Sequence, residues 1–183
     1  MSQVSAIEAP VTLRAFLEAT FELAKPRITT LLVLVALASF VITGGFAPGG
    51  SGLAGLAATF GSVVLLSVGI FTLNQWLERD SDRLMLRTRD RPLPSGRFSP
   101  ALALGIGLAF TAGALVFSWL VVNPAQALVA FLTALGYLAV YTPLKFRTAW
   151  HTALGALPGA TPPLMGALAA TGHLDPLAWA LFG

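Results

Sequence analysis

The sequence predicts an all-α membrane protein, a bundle of transmembrane helices, and three features of the chain support this prediction. Of the 183 residues, 56% are hydrophobic and only 10% are charged, whereas a soluble domain has about 25% charged residues. Several apolar segments approach the roughly 20 residues that a membrane-spanning helix needs. The lysines and arginines are confined to alternate connections between these segments. This pattern excludes an ordinary soluble domain. It also indicates that the net charge of +3 serves membrane topology rather than nucleic-acid binding.

The apolar segments predict five full spans and the start of a sixth. An amphipathic helix over residues 13–24 precedes them on the membrane surface. The predicted spans are residues 28–46, 53–73, 99–121, 125–142 and 152–170, with residues 176–183 as a partial sixth. We expect a single transmembrane domain over residues 1–183 that lacks its C-terminal part, because the last segment is shorter than a span.

The fifth apolar segment is rich in proline and glycine. Its prolines predict a kinked or partly unwound span, which a membrane protein tolerates where the backbone faces protein or a cavity. Its glycines predict close packing between helices. The residues concerned are Gly155, Pro158, Gly159, Pro162, Pro163 and Gly166.

The basic residues predict the orientation of the bundle, because cytoplasmic loops carry the excess of lysine and arginine. Six arginines lie between the second and third predicted spans. The other basic residues are Arg14, Lys25 and Arg27 before the first span, and Lys145 and Arg147 between the fourth and fifth. The remaining connections carry none, so the amino terminus and both charged loops are predicted to be cytoplasmic and to share one face of the membrane.

A polar row follows the second predicted span. Asn74, Glu78 and Asp82 are spaced four residues apart, and each step of four turns only about 40° around a helix. The two carboxylates and the amide therefore share one helix face, while Asp80 falls off it. Oxygen ligands grouped in this way suit Mg²⁺, which usually shares its coordination shell with water and substrate phosphate.

Six arginines accompany this row, between residues 79 and 97. Guanidinium groups bind phosphate oxygens in a bidentate manner and stay charged. Carboxylates for a metal beside arginines for an anion suggest a metal–diphosphate site. From spacing alone, a second interpretation is equally open, in which the arginines belong to an ordinary cytoplasmic loop and only set the topology.

Two longer motifs resemble a known family. The run N-Q-W-L-E-R-D-S-D, followed by R-T-R-D-R-P-L-P-S-G-R at residues 87–97, resembles the UbiA superfamily of intramembrane prenyltransferases, in particular its haem-farnesylating branch. The segment Y-T-P-L-K-x-R-T at residues 141–148, followed by G-A-x-P-P-x-x-G at residues 159–166, is similar to the second motif region of that family. The resemblance covers nearly all of the chain.

The resemblance implies roles for individual residues. Asn74, Glu78 and Asp82 would be catalytic and would hold Mg²⁺. The diphosphate would be bound by Arg83, Arg87, Tyr141, Lys145, Arg147 and His151. Many superfamily members carry a second pair of carboxylates near the last of these positions, and this chain has a histidine there and no carboxylate nearby. Whether one metal or two are used therefore stays open.

The resemblance also implies a reaction. The haem branch transfers a farnesyl group from farnesyl diphosphate to the vinyl group of haem B, which gives haem O for haem A and cytochrome oxidase biosynthesis. The substrates implied are farnesyl diphosphate and haem B, the cofactor is Mg²⁺, and the location is the lipid bilayer of the bacterial cytoplasmic membrane. Haem A synthase and cytochrome oxidase assembly proteins are the implied partners, with no role for nucleic acid.

Two alternatives stay open at this point. Another prenyltransferase of the superfamily would take a quinone precursor as acceptor. A transporter or a non-catalytic assembly protein would also carry intramembrane polar residues. A transporter is expected to place its key charges near the bilayer midplane, whereas the charges of this chain lie at the ends of predicted spans.

Overall fold

A computed structural model describes residues 13–145 and 151–183 of the chain. Within these two ranges the regular structure is entirely helical, which confirms the predicted all-α class. The helices are α1 Leu13–Leu23, α2 Pro26–Ile42, α3 Gly52–Arg83, α4 Pro100–Val122, α5 Pro124–Leu144, α6 His151–Gly159, α7 Pro162–Thr171 and α8 Pro176–Phe182. Wider π-helical turns occur near the ends of α4 and α5.

Among the described residues, α3, α4 and α5 are each long and apolar enough to cross a membrane. Helices α1 and α2 meet the same test only as a pair, with a bend of 51° between them. Helices α2, α3, α4 and α5 overlap the first four predicted spans, and their membrane-spanning character is judged from length and composition.

Helix α3 is the centre of the bundle and packs against α2, α4 and α7. It has 32 residues and does not end at residue 73, where the predicted span ends, but continues to Arg83. Half of the extension consists of Gln, Leu, Glu and Arg, which are strong helix formers, and the extension contains no Gly or Pro. The helix therefore extends about 15 Å beyond the apolar segment, at a rise of about 1.5 Å per residue, and this extension carries the polar row.

The bend between α1 and α2 occurs at Lys25. This lysine has a φ of 46°, and it is the only non-glycine residue with positive φ in the described part of the chain. Pro26 then begins α2, where its fixed φ and missing N–H suit the first helical position. The bend directs α1 against the segment that follows α3, at the polar end of the bundle.

Part of the apolar side of α1 is covered by protein. Ala19 and Leu23 are buried against Leu93 and Phe98 of the segment after α3. The rings of Phe16 and Phe98 stack with their centroids 5.5 Å apart. Helix α1 is amphipathic as predicted, and its buried stripe holds the segment 84–99 against α3.

The fifth predicted span consists of two shorter helices in the structure. Helix α6 ends at Gly159 and α7 begins at Pro162, because consecutive prolines lack the N–H groups that would continue the ladder. Thr161 bridges the break by donating to the carbonyl of Pro158 at 2.8 Å, and it also accepts a hydrogen bond from Thr133 at 2.8 Å. The irregular backbone thus faces protein, as expected from the prolines of this segment.

Gly166 lies where α7 packs closely against the backbone of α2. A Cβ atom at this position would overlap the backbone carbonyl oxygen of Ala36, and neither helix can retreat easily because Ser39 also donates to the carbonyl of Pro163 at 2.7 Å. We expect Gly166→Ala to lower the free energy of unfolding by about 1–3 kcal/mol, the usual cost of overpacking. Denaturant unfolding in detergent, followed by circular dichroism, measures this change.

Gly113→Ala is the matched control, because nothing lies within 4 Å of a Cβ atom built on this glycine of α4. This variant should be as stable as the unchanged protein or more stable, since alanine favours helix over glycine by about 1 kcal/mol. Equal stability of the two variants would show that α2 and α7 are not in tight contact at Gly166.

Candidate active site

The structure places the predicted polar row on one buried face of α3. Asn74, Glu78 and Asp82 are each only 2% exposed. Burial of carboxylates is costly unless they are paired, so their environment decides what they can do. Asp80 has a largely exposed side chain, as expected for a residue off this face.

Each member of the row contacts a different cation. Lys145 Nζ lies 3.0 Å from Glu78 Oε1 and 3.1 Å from Oε2. Arg91 Nη1 lies 2.6 Å from Asp82 Oδ2. The third contact joins Lys25 Nζ to Asn74 Oδ1 at 3.0 Å. The three cations come from the end of α5, the segment after α3 and the α1–α2 bend, so tertiary folding assembles the site.

Further hydrogen bonds orient the row. Asn74 Nδ2 donates to Thr142 Oγ1 at 3.2 Å, and Thr142 donates to the carbonyl of Tyr137 at 2.8 Å. The amide oxygen of Asn74 therefore faces Lys25. Gln75 is buried beside the row and donates to the carbonyl of Leu23 at 2.9 Å, which ties α3 to the bend.

Lys25 lies in a strongly perturbed environment between α1 and α2. Burial lowers the pKa of its ammonium group to about 8, the nearby positive charge of Arg91 contributes to this lowering of the pKa, and the carboxylate of Glu78 opposes both effects. Its Nζ also lies 5.2 Å from the centre of the Phe71 ring. The ammonium group therefore lies partly desolvated beside the row.

The structure also places three other residues that the resemblance implies. Arg83 donates from Nε to the carbonyl of Pro94 at 3.2 Å, and its Nη1 lies 3.8 Å from Asp80. Arg87 is exposed and lines a cavity beside the row. The ring of Tyr141 contacts that of Tyr137, with centroids 5.1 Å apart.

Two other implied residues cannot be placed relative to the row. Arg147 lies outside the described residues. His151 is the first residue of α6, and its side chain is also outside the described part.

Sequence reasoning missed the particular importance of two cations. The sequence indicates only a topological role for Lys25, and spacing cannot rank Arg91 among the six arginines of its segment. The signal that existed was a lysine directly before the Pro26 helix start, at a predicted break. Gln75 and Thr142 lie within the two motifs that resemble the family, but spacing and residue type do not mark them as supporting residues.

The oxygen atoms of the row suit a metal ion that is shared with a phosphate. No group of three or more Asp, Glu, His or Cys side chains among the described residues could hold a metal by itself. Two carboxylates and an amide oxygen would leave the other coordination positions to water and phosphate, which is the usual arrangement for Mg²⁺. The donor set therefore fits Mg²⁺ as part of a metal–diphosphate complex.

Two cavities adjoin this region. An apolar cavity of about 140 Å³ lies within the bundle, between α2, α3, α5 and the α6–α7 break. Its lining includes Ile28, Leu66, Phe71, Tyr137 and Met165. A larger cavity of about 620 Å³ lies at the polar end and includes Lys25, Gln75 and Arg91 in its lining. A polar mouth thus lies beside an apolar interior.

Apolar helices that hold a buried row of carboxylates and cations at one end define a class of integral membrane proteins with a polar site at the end of the bundle. Residues 25–183 match the profile of the UbiA prenyltransferase family, and the chain belongs to this family. The resemblance of the two sequence motifs to this family is thereby confirmed.

The chain is similar to curated members of the family. It is 44% identical over 160 residues to the protoheme IX farnesyltransferase of Anaeromyxobacter sp. (strain Fw109-5), a match that covers 87% of this chain and 53% of that protein. The chain spans about half the length of the curated relatives it matches.

Two solved structures have the same fold. A structure from a study of digeranylgeranylglyceryl phosphate synthase has a TM-score of 0.78 at 18% identity, and the match covers 91% of this chain and 57% of that one. A UbiA homologue from Archaeoglobus fulgidus, solved with DMAPP and Mg²⁺ bound, has a TM-score of 0.69 at 22% identity, and the match covers 89% of this chain and 58% of that one. At these identities the likeness establishes the fold.

Proposed function

We propose that this chain carries the donor site of an enzyme that transfers a farnesyl group from farnesyl diphosphate to the vinyl group of haem B, giving haem O. The observation that carries this proposal is the buried row of α3, in which two carboxylates four residues apart each face a cation from another part of the chain. The name of the 44% identical relative supports the farnesyl donor and the haem acceptor.

The row supplies the groups that a metal–diphosphate complex requires. Glu78 and Asp82 would hold Mg²⁺, and Asn74 would add its amide oxygen. Bound Mg²⁺ would stabilise the negative charge that develops on the diphosphate as the bond to the allylic carbon breaks. The DMAPP and Mg²⁺ bound to the Archaeoglobus fulgidus homologue support this assignment.

The cations of the site would bind the diphosphate oxygens. Lys145 and Arg91 now neutralise Glu78 and Asp82, and each would donate to phosphate when the carboxylates hold a metal. Lys25 would add a third charge from the bend, where its contact to Asn74 holds it beside the row. The family resemblance implies further diphosphate contacts from Arg83, Tyr141, Arg147 and His151.

The reaction places distinct demands on the two parts of the site. The electron pair of the allylic C–O bond leaves with the diphosphate, where the cations stabilise it, and the vinyl carbon of haem B then attacks the allylic cation. Water adds to the resulting cation beside the porphyrin ring and releases a proton, which completes the hydroxyethylfarnesyl group. The apolar cavity would hold part of the isoprenoid chain and exclude water from the allylic carbon until transfer.

The same proposal includes the position of the enzyme in the cell. The positive charge at one end of the bundle would lie on the inner face of the bacterial cytoplasmic membrane, with the amino terminus and both charged loops cytoplasmic. Farnesyl diphosphate would enter with its diphosphate at that surface and its isoprenoid tail in the bilayer.

Product formation tests the proposed function. Membranes that carry the 183-residue chain, and in parallel any longer reading frame that contains it, are supplied with haem B, farnesyl diphosphate and Mg²⁺. We expect haem O by mass spectrometry, and none when EDTA is added. Prenyl transfer to a quinone precursor without haem O would support a prenyltransferase of this family but refute haem B as the acceptor. The absence of transfer to any acceptor would refute the proposed prenyltransferase activity.

A further inference from the structure

We infer that the cavity at the polar end of the bundle binds the two propionate carboxylates of the haem acceptor, through Arg27 and Arg87. This inference rests on the proposed function, and it adds an acceptor site to the donor site described above. The cavity has a volume of about 620 Å³, within the roughly 300–1,000 Å³ typical of ligand sites.

The charge around this cavity is strongly positive. Its lining includes Lys25, Arg27, Arg87 and Arg91, and the only acidic side chain in it among the described residues is Glu22. That carboxylate is already paired, because Arg97 Nη2 lies 3.2 Å from Glu22 Oε2. The cavity therefore has capacity for added negative charge.

Two of these four cations are available to a ligand. Arg91 forms an ion pair with Asp82, and Lys25 donates a hydrogen bond to Asn74, so both cations already contact the row. Across residues 13–145 and 151–183, neither Arg27 nor Arg87 has an ion pair with a carboxylate, and both are exposed. Guanidinium groups bind carboxylates in a bidentate manner, so two such arginines suit a ligand with two carboxylates.

The remaining wall of the cavity is apolar. Phe21, Pro26, Ile28 and Pro92 line it, and Phe21 and Ile28 are exposed. A diphosphate group gains no stabilisation from such an apolar surface, whereas the flat hydrocarbon face of a porphyrin can pack against it. The combination favours an amphipathic dianion over a small inorganic one.

The position of the cavity also suits an acceptor. It shares Lys25 and Arg91 with the polar row, so a ligand within it would lie next to the proposed diphosphate. Ile28 lines both this cavity and the apolar cavity of the bundle. A porphyrin held by its carboxylates at the mouth would thus extend toward the junction where an allylic carbon is expected.

This assignment differs from the family-based expectation for Arg87, which is diphosphate binding. The cations that contact the row are Lys25, Arg91 and Lys145, and no contact between Arg87 and the row occurs among the described residues. A lipid phosphate is a third anion that could meet the same charges. Propionate, diphosphate and lipid phosphate therefore have to be distinguished by experiment.

Absorbance titration of the haem Soret band, with the purified protein in nanodiscs of neutral lipid, distinguishes them without turnover. The ligands are haem B and its dimethyl ester, in which the propionates carry no charge. The variants are Arg27→Gln, Arg87→Gln and the double variant. Arg79→Gln is the matched control, because Arg79 stacks on Trp76 and does not line the cavity.

We expect the unchanged protein and the control to bind haem B more tightly than the ester. In the double variant, the Kd for haem B should rise on the order of tenfold with the loss of two charge-assisted contacts, while the Kd for the ester stays the same. The Kd for a farnesyl diphosphate analogue should not change.

Three results would overturn the inference. An equal rise in the Kd of the double variant for haem B and for the ester would mean that the arginines do not bind propionates. A rise in Kd for the farnesyl diphosphate analogue alone would assign the two arginines to the donor site. A rise in Kd for haem B that appears only when anionic lipid is added would assign them to lipid binding. Turnover of the same preparations is measured separately, so a failure of the proposed function is recognised independently of haem binding.

Discussion

Glu78→Gln and Asp82→Asn are each expected to abolish farnesyl transfer, with a loss of at least roughly 10³-fold, as expected when a group that stabilises transition-state charge is removed. Each substitution keeps the size and shape of the side chain but removes the negative charge that would hold the metal. The amide oxygen introduced at either position can still accept the hydrogen bond from Lys145 or Arg91, so the fold should survive. Initial rates of haem O formation at saturating substrates measure the effect.

Asp80→Asn is the control for this prediction. It makes the same chemical change midway between Glu78 and Asp82 in the sequence, but on an exposed side chain whose ion pairs are with arginines. This variant should retain nearly full activity, and the thermal unfolding temperature of all three variants should stay near that of the unchanged protein. Normal turnover by Glu78→Gln or by Asp82→Asn would refute the assignment of that carboxylate as a metal ligand.

Arg91→Gln is expected to have the second largest effect, a loss on the order of 10²-fold in kcat/KM, because a cation that contacts the departing diphosphate is worth about 3 kcal/mol in a water-poor site. Its guanidinium lies 2.6 Å from Asp82, and it lines the mouth of the larger cavity. Arg91→Lys should recover part of the activity, because it restores the charge without the bidentate geometry.

Arg83→Gln is the informative comparison, because the family resemblance implies a diphosphate role for Arg83, whereas only the structure points to Arg91. Arg83 has a side chain that is 54% exposed and is directed to Pro94 and Asp80. Its replacement should reduce kcat/KM only a few-fold, as for other exposed ion pairs. If the loss at Arg83 equals or exceeds the loss at Arg91, then the pairing of Arg91 with Asp82 does not mark the diphosphate site.

The helical class and the polar row could be predicted because both depend on local periodicity. Residues four apart share a helix face whatever the tertiary fold, so Asn74, Glu78 and Asp82 had to lie together once α3 continued past its apolar segment. The break near Pro162 follows in the same way, since proline in a helix interior kinks or ends the helix.

The partners of the row could not be predicted, because they depend on tertiary structure. Lys25 reaches Asn74 across 49 residues of chain, and Lys145 reaches Glu78 across 67. Spacing also cannot show which of six arginines in one segment contacts the row. That Arg91 reaches Asp82 depends on how the segment turns, and Thr88 stabilises this turn by donating a hydrogen bond to the carbonyl of Asp82. Long-range packing, rather than composition, sets these contacts.

The most direct test of the central claim is the binding of an unreactive donor analogue, farnesyl thiodiphosphate, measured by isothermal titration calorimetry with Mg²⁺ and with EDTA. If the row of α3 is a metal–diphosphate site, binding requires Mg²⁺, is lost in Glu78→Gln and is retained in Asp80→Asn. Binding of equal affinity in EDTA, or in Glu78→Gln, would contradict the assignment of the site.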